Sequence, residues 1–282
     1  MNIQGKNVLL TGATGGIGVH LARALVNEGA NISMVAFPGN QLQGFCQELA
    51  QPGTKLIWFD EDLRKQTSID KVVEETEKQL GSVDLLINNA GIEITAPYDA
   101  LEIDSIDSIL DCNLRAPLVL SQKLIKPMLK RNEGHIVNIS SLAGKSGPSC
   151  QEVYAATKAG LIAFTQSLRA TYRKSNVGAS VVCPGFVEAG IYDRLKSKTG
   201  LQAPKLLGTS RPERVAQGVI TAIKKDLPEV IINPIPVRPL FAVATLFPRL
   251  GEFLVSLTGA HEFFDQSAER LGSSEQKSNK PN

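Results

Sequence analysis

The sequence predicts an α/β fold: one doubly wound domain on a seven-stranded parallel sheet, followed by a C-terminal apolar helical extension. Three observations predict it. Short β-rich apolar runs alternate with longer amphipathic stretches from residue 8 to residue 232. A glycine-rich turn, Thr11-Gly12-Ala13-Thr14-Gly15-Gly16-Ile17-Gly18, separates the first run from the first stretch. No internal repeat and no Pro/Gly-rich linker interrupts residues 1–234, so they read as one unit.

The candidate strands are residues 8–10, 32–36, 55–59, 85–88, 135–139, 179–183 and 230–232. The candidate helices lie near 16–28, 40–50, 67–80, 105–131, 152–174 and 212–225. Strand–helix–strand units close with right-handed crossovers, which puts helices on both faces of the sheet. Residues 186–210 carry Gly190, Gly200, Pro204 and Gly208 and read as a long irregular connection. Residues 235–272 form the apolar extension. The polar stretch 273–282 predicts a disordered tail.

Composition narrows the function. Of 282 residues, 43% are apolar and 21% charged, and the net charge is +2, which gives no electrostatic footprint for nucleic acid. His20, His135 and His261 are too scattered for a metal site. Cys46, Cys112, Cys150 and Cys183 form no C-x-x-C pair and read as small buried hydrophobes in a reducing compartment. Residues 1–5 hold no signal-peptide pattern, which sets a cytoplasmic expectation.

The glycine turn predicts a dinucleotide site of Rossmann type. Gly12 permits a tight turn, while Gly16 and Gly18 let backbone and ligand approach closely. The helix that follows presents free N–H groups and a positive dipole end to a pyrophosphate. An acidic residue after the second strand would hold a ribose 2′-OH, and a basic one a 2′-phosphate. Here Ala36-Phe37-Pro38 stands instead. With no carboxylate to repel a phosphate, NAD(P)(H) is expected with a slight lean to NADP.

Tyr154 and Lys158 supply the chemistry. Four residues apart on a predicted helix, they share a face. A phenol with a pKa of about 10 is a poor base at neutral pH, and a neighbouring ammonium favours phenolate. A ketone receiving a hydride needs a proton, so a tuned tyrosine beside a nucleotide site points to hydride transfer.

The spacing Thr-Gly-x-x-x-Gly-x-Gly resembles the short-chain dehydrogenase/reductase family, and further motifs follow in its order. They are Asp62-Leu63, Asn88-Asn89-Ala90-Gly91, Asn113, Ile139-Ser140-Ser141, Tyr154 with Lys158, and Pro184-Gly185. The resemblance covers about residues 5–234. It implies an NAD(P)-dependent oxidoreductase acting on a secondary alcohol/ketone pair, assembled as a homodimer or homotetramer.

By resemblance Tyr154 exchanges the proton, and Lys158 tunes it and holds the nicotinamide ribose. Ser141, thirteen residues before the tyrosine, bonds the reacting oxygen, and Asn113 supports a water-linked path to Lys158. The implied cofactor contacts are Thr11, Gly12, Thr14, Gly15, Gly16, Ile17, Gly18, Phe37, Asp62, Leu63, Asn89, Ala90, Gly91, Pro184, Gly185 and Val187, with Tyr154 and Lys158. Ala189 replaces a threonine that the family often places against the nicotinamide amide. A second reading is a nucleotide-sensing or scaffold protein of the same fold; the full set of Asn113, Ser141, Tyr154 and Lys158 disfavours it.

Residues 239–257 are apolar but carry Pro248, Arg249 and Glu252, which argues against a membrane span. Two short helices broken near Pro248 fit better. One reading is a cover packed on the domain or a neighbouring subunit. The other is an apolar rim around the substrate entrance, with peripheral membrane contact, serving a lipid-, steroid- or acyl-like carbonyl substrate.

Overall fold

The computed structural model describes residues 1–278, with side chains through Ser273. Seven strands form one sheet: β1 Asn7–Thr11, β2 Asn31–Ala36, β3 Leu56–Asp60, β4 Leu85–Asn88, β5 Gly134–Ile139, β6 Val177–Pro184 and β7 Glu229–Ile232. Their order is β3-β2-β1-β4-β5-β6-β7, and every neighbouring pair is parallel. Val8, Leu9 and Leu10 of β1 are fully buried, as a central strand covered on both faces must be.

The helices that cover the sheet are α1 Gly16–Asn27, α2 Leu42–Leu49, α3 Gln66–Leu80, α4 Ile103–Leu110, α5 Ala116–Arg131, α6 Glu152–Thr171, α7 Ile191–Thr199 and α8 Pro212–Lys225. Leu21 and Leu25 of α1 pack with Val215, Val219 and Ile223 of α8 on one face. Ile69 and Val72 of α3 pack with Leu120, Leu124 and Met128 of α5 on the other. The chain reverses direction across the sheet between β1 and β4. A crevice therefore opens at the strand C-termini, where doubly wound sheets bind ligands.

Three local differences from the sequence expectations bear on the site. The stretch 105–131 is not one helix: α4 and α5 flank a wide π-type turn, Asp111–Arg115. Pro117, just beyond it, has no N–H to donate back into that turn. Inside the expected irregular connection lies α7, nine residues between Gly190 and Gly200, anchored by buried Tyr192 and Leu195. The expected disorder from residue 273 gives way to helix through Ser278; residues 279–282 lie outside the described residues.

The extension folds as α9 Arg238–Leu246, α10 Pro248–Ser256 and α11 Ala260–Ser278, with the break at Pro248. It docks on α7 through rings. Phe186 meets Tyr192 at 5.6 Å and Phe263 at 5.1 Å between centroids, and Phe263 meets Phe264 at 5.1 Å. Each such pair contributes about 0.5–1.5 kcal/mol beyond area burial. The outer face of α9 and α10 leaves Leu246, Phe247, Leu250 and Phe253 exposed. Among the described residues no helix is long and apolar enough to cross a membrane.

Candidate active site

The glycine turn is held by the end of β4. Thr11 Oγ1 accepts from the backbone N–H of Asn89 and Ala90, both at 3.0 Å. Asn89 Nδ2 donates to the carbonyls of Thr11 and Gly12, again at 3.0 Å. Gly12 has φ +66°, and a Cβ there would lie 2.8 Å from Ala90 Cα. At Gly18 a Cβ would lie 1.9 Å from Gly12 O, so the turn closes only without side chains. The first turn of α1 has neither a side-chain cap nor an acidic residue, which leaves its N–H groups to an anion. These features fit the diphosphate of a dinucleotide, with Thr14, Gly15, Gly16 and Ile17 at its mouth.

At the adenosine end the sequence motif missed Arg64. Its guanidinium lies 5.5 Å from the centroid of the Phe37 ring. It grips Asp62 through Nε at 2.9 Å and Nη2 at 2.8 Å, and Ser108 through Nη1 at 3.2 Å. That grip holds the Asp62 carboxyl below the usual carboxylate range. Leu63 turns into the core beneath. Arg64 follows Asp62-Leu63 by one residue, but nothing in a one-residue offset predicts stacking on a side chain 27 positions earlier.

The crevice deepens into a cavity of about 260 Å³. One wall holds Gly12, Gly15, Gly16, Ile17, Asn89, Ala90 and Gly91. Its floor holds Ser141, Tyr154, Lys158, Pro184, Gly185 and Val187. Leu240 and Phe241 of α9, Val255 of α10, and Ala260 and Phe264 of α11 complete the far side. Arg194 of α7, exposed and one turn past Gly190, also reaches the lining and is a second cation that the motifs did not announce.

Tyr154 and Lys158 project from one face of α6 into this floor. Lys158 Nζ lies 5.5 Å from the Tyr154 ring centroid and donates to the Ile139 carbonyl at 2.9 Å. The expected lowering of the phenol's pKa by Lys158 is not met within the chain. Burial pushes Tyr154 up to about 12; the Ser141 hydroxyl pulls it down and the Glu93 charge adds to the rise. Burial also takes Lys158 down to about 8. The physical reason is placement: the ammonium faces the ring, and both groups have lost water.

The two serines divide their work. Ser140 Oγ is buried and donates to the Lys158 carbonyl at 2.7 Å, fixing α6 against β5. Ser141 Oγ accepts from Ala143 N at 3.1 Å, and its hydroxyl draws the Tyr154 pKa down. Asn113, fully buried in the π-type turn, spends its amide on Ile92: Oδ1 accepts from N and Nδ2 donates to O, both at 2.8 Å. It thereby pins Ile92. A Cβ on Gly91 would meet both Asn113 Oδ1 at 3.4 Å and Lys158 Nζ at 3.5 Å, so the three are close neighbours. Val187 pairs with Ser210, and its carbonyl accepts from Ala189 N at 2.7 Å.

A glycine cradle at the sheet's switch point, with a phenol and an ammonium on one helix face beside it, defines an oxidoreductase that uses a nicotinamide cofactor. The comparisons agree. The model of the short chain dehydrogenase family matches residues 6–200, and the chain belongs to that family. It is 38% identical over 272 residues to "Ketoacyl reductase HetN" of Nostoc sp. (strain PCC 7120), covering 95% of this chain and 94% of that protein. It is 34% identical to "3-oxoacyl-[acyl-carrier-protein] reductase FabG" of Aquifex aeolicus, over 78% of this chain and 90% of that protein. "Nodulation protein G" of Rhizobium sp. (strain N33) is also 34% identical, over 70% of this chain and 79% of that protein.

Proposed function

We propose that the protein reduces the keto group of an acyl compound with an apolar tail, using NADPH. The observation that carries this reading is the continuity of the cavity. Its floor holds Tyr154 and Ser141, and its far wall is apolar and made by α9–α11. The relatives named for ketoacyl and 3-oxoacyl reduction support the same substrate class.

A nicotinamide held in the crevice would supply the hydride to the carbonyl carbon. Tyr154, protonated throughout the neutral range by burial, gives its proton to the carbonyl oxygen. Ser141 bonds that oxygen and orients it. Lys158 would hold the ribose hydroxyls of the cofactor and return a proton to the phenol from solvent. Asn113 fixes the loop after β4 by holding both backbone groups of Ile92. The lean to NADPH rests on Arg64 over Phe37, together with the lack of a carboxylate at residues 36–38. The working assembly is a homo-oligomer in the cytoplasm, paired through α5 and the outward face of α6.

The test is a paired NADH/NADPH assay over 3-ketoacyl thioesters of graded chain length. NADPH-linked reduction that strengthens with chain length is the expected result. Cofactor binding without turnover of any member would favour the nucleotide-sensing scaffold instead.

A second proposal concerns the outer face of α9 and α10, where four large apolar side chains stand in solvent. It is peripheral contact with a phospholipid surface. Vesicles of mixed neutral and anionic lipid should pellet the protein, and a Leu246→Ser, Phe247→Ser, Phe253→Ser variant should stay in the supernatant. Equal, negligible pelleting of both removes the idea.

A further inference from the structure

One carboxylate lines the cavity without a part in the hydride chemistry. Glu93 lies on the loop after β4, and its negative charge reaches the Tyr154 phenol. Its Oε1 accepts from the Thr95 hydroxyl and from Gln151 Nε2. Gln151 Nε2 also donates to Thr95 Oγ1 at 2.7 Å. Gln151 is 2% exposed and Thr95 6%, and Gln151 stands three residues before Tyr154 at the start of α6. The carboxylate is therefore fixed relative to the proton donor by two buried side chains.

Both of those donors are spent on Oε1. Among the described residues, no protein donor meets Oε2 and no Lys or Arg forms an ion pair with Glu93. Two cations share the cavity, one beside Tyr154 and one at a distance from it. Lys158 is bound to the Ile139 carbonyl, and Arg194 is exposed at the rim near Gly190. A compound approaching Tyr154 thus meets a fixed negative charge with one free, acceptor-only oxygen.

We propose that Glu93 is a specificity-determining residue, a charge filter that admits neutral carbonyl compounds such as thioesters and esters and turns away keto acids. The inference rests on the proposed keto-group reduction and adds to it the state of the substrate's acyl end. Two unit charges about 6 Å apart at an effective dielectric of 20–40 repel by enough to lower affinity roughly tenfold to a hundredfold. The filter keeps out a free acid and leaves its thioester untouched, so the reaction that supplies this substrate must be one that leaves the acyl group esterified.

The experiment compares wild type with Glu93→Gln on three probes: acetoacetyl-N-acetylcysteamine, ethyl acetoacetate and acetoacetate. Calorimetric binding of 3-hydroxybutyrate and of its N-acetylcysteamine thioester provides a readout free of turnover. In Glu93→Gln, kcat/KM for acetoacetate should rise at least tenfold relative to the two neutral probes, and 3-hydroxybutyrate should bind correspondingly tighter. NADPH affinity should stay within twofold, which also reports folding; Glu93→Ala, which keeps no acceptor for Thr95 and Gln151, serves if Glu93→Gln does not fold. An unchanged ratio between anionic and neutral probes overturns the filter while leaving the reductase intact. Failure of wild type to reduce either neutral probe or a longer 3-ketoacyl thioester overturns the activity on which it rests.

Discussion

The ammonium of Lys158 faces the ring of Tyr154, 5.5 Å from its centroid, and gives its hydrogen bond to the Ile139 carbonyl rather than to the phenol oxygen. The lysine is thus anchored to the end of β5, and burial keeps the phenol protonated. Tyr154→Phe should lower turnover by about 10²- to 10⁴-fold, the range lost with a general acid. Cofactor affinity should be preserved, because the hydroxyl is not what shapes the crevice. NADPH fluorescence titration beside steady-state rates separates the two effects; unchanged turnover would exclude Tyr154 as the proton donor.

Arg64 couples the adenosine end to Asp62. Replacing it with methionine removes the guanidinium from above Phe37 and frees the Asp62 carboxylate. NADPH should then bind about tenfold more weakly, as the loss of one charge-assisted contact predicts. NADH affinity should change less than twofold. Direct titration of each cofactor reads this without turnover, and a parallel loss of both would assign Arg64 to the scaffold alone.

Phe241 on α9 lines the cavity from the extension. Phe241→Ala should reduce kcat/KM for an eight-carbon 3-ketoacyl thioester by about tenfold, in line with one or two buried methylenes losing their contact. A four-carbon thioester should be unaffected. Phe241 belongs to a helix with no fully buried residue, so Tm should hold steady. Equal losses on both substrates would place the acyl tail elsewhere.

His135 sets an acid limit on the fold. It is 2% exposed, hydrogen-bonded through Nε2 to Ser180 Oγ at 2.8 Å, and burial takes its pKa down from 6.5 to about 4. Asp226, 3.9 Å from Nδ1, opposes that shift, and Arg169 reinforces it. The unfolded chain binds the proton first as pH falls. Stability is therefore full above pH 6.5 and declines between pH 6.5 and 4, by about 3 kcal/mol in all. Urea midpoints at pH 7.5 and 4.5 should differ accordingly, and His135→Gln should flatten the difference. A wild-type midpoint independent of pH over that range would show that the imidazole is not buried in solution.

The regular part of the molecule was legible because its signals are local. Seven apolar runs joined by six helical stretches follow from side-chain burial on both faces of a sheet. The glycine turn and the Tyr154–Lys158 spacing follow from geometry within one or two helical turns. What escaped depends on contacts far apart in sequence. The nine-residue α7 is too short to show a period. The π-type turn at Asn113 reflects a missing N–H at Pro117, within an otherwise continuous apolar pattern. Arg64 over Phe37 and Glu93 held by Gln151 are meetings of loops that no single window contains. The upward shift of Tyr154 in the chain alone was not legible because proximity along a helix fixes neither which atom the ammonium addresses nor how much water both groups lose.

The cavity draws its two halves from separate lengths of chain. On the proposed reading, the groups that would handle the nucleotide and the proton lie before residue 190, while much of the far wall comes from residues 240–264. Drift in that later stretch can reshape the range of compounds accepted while the reaction itself stays untouched. On the proposed reading, a new diet would require changes only in the last three helices.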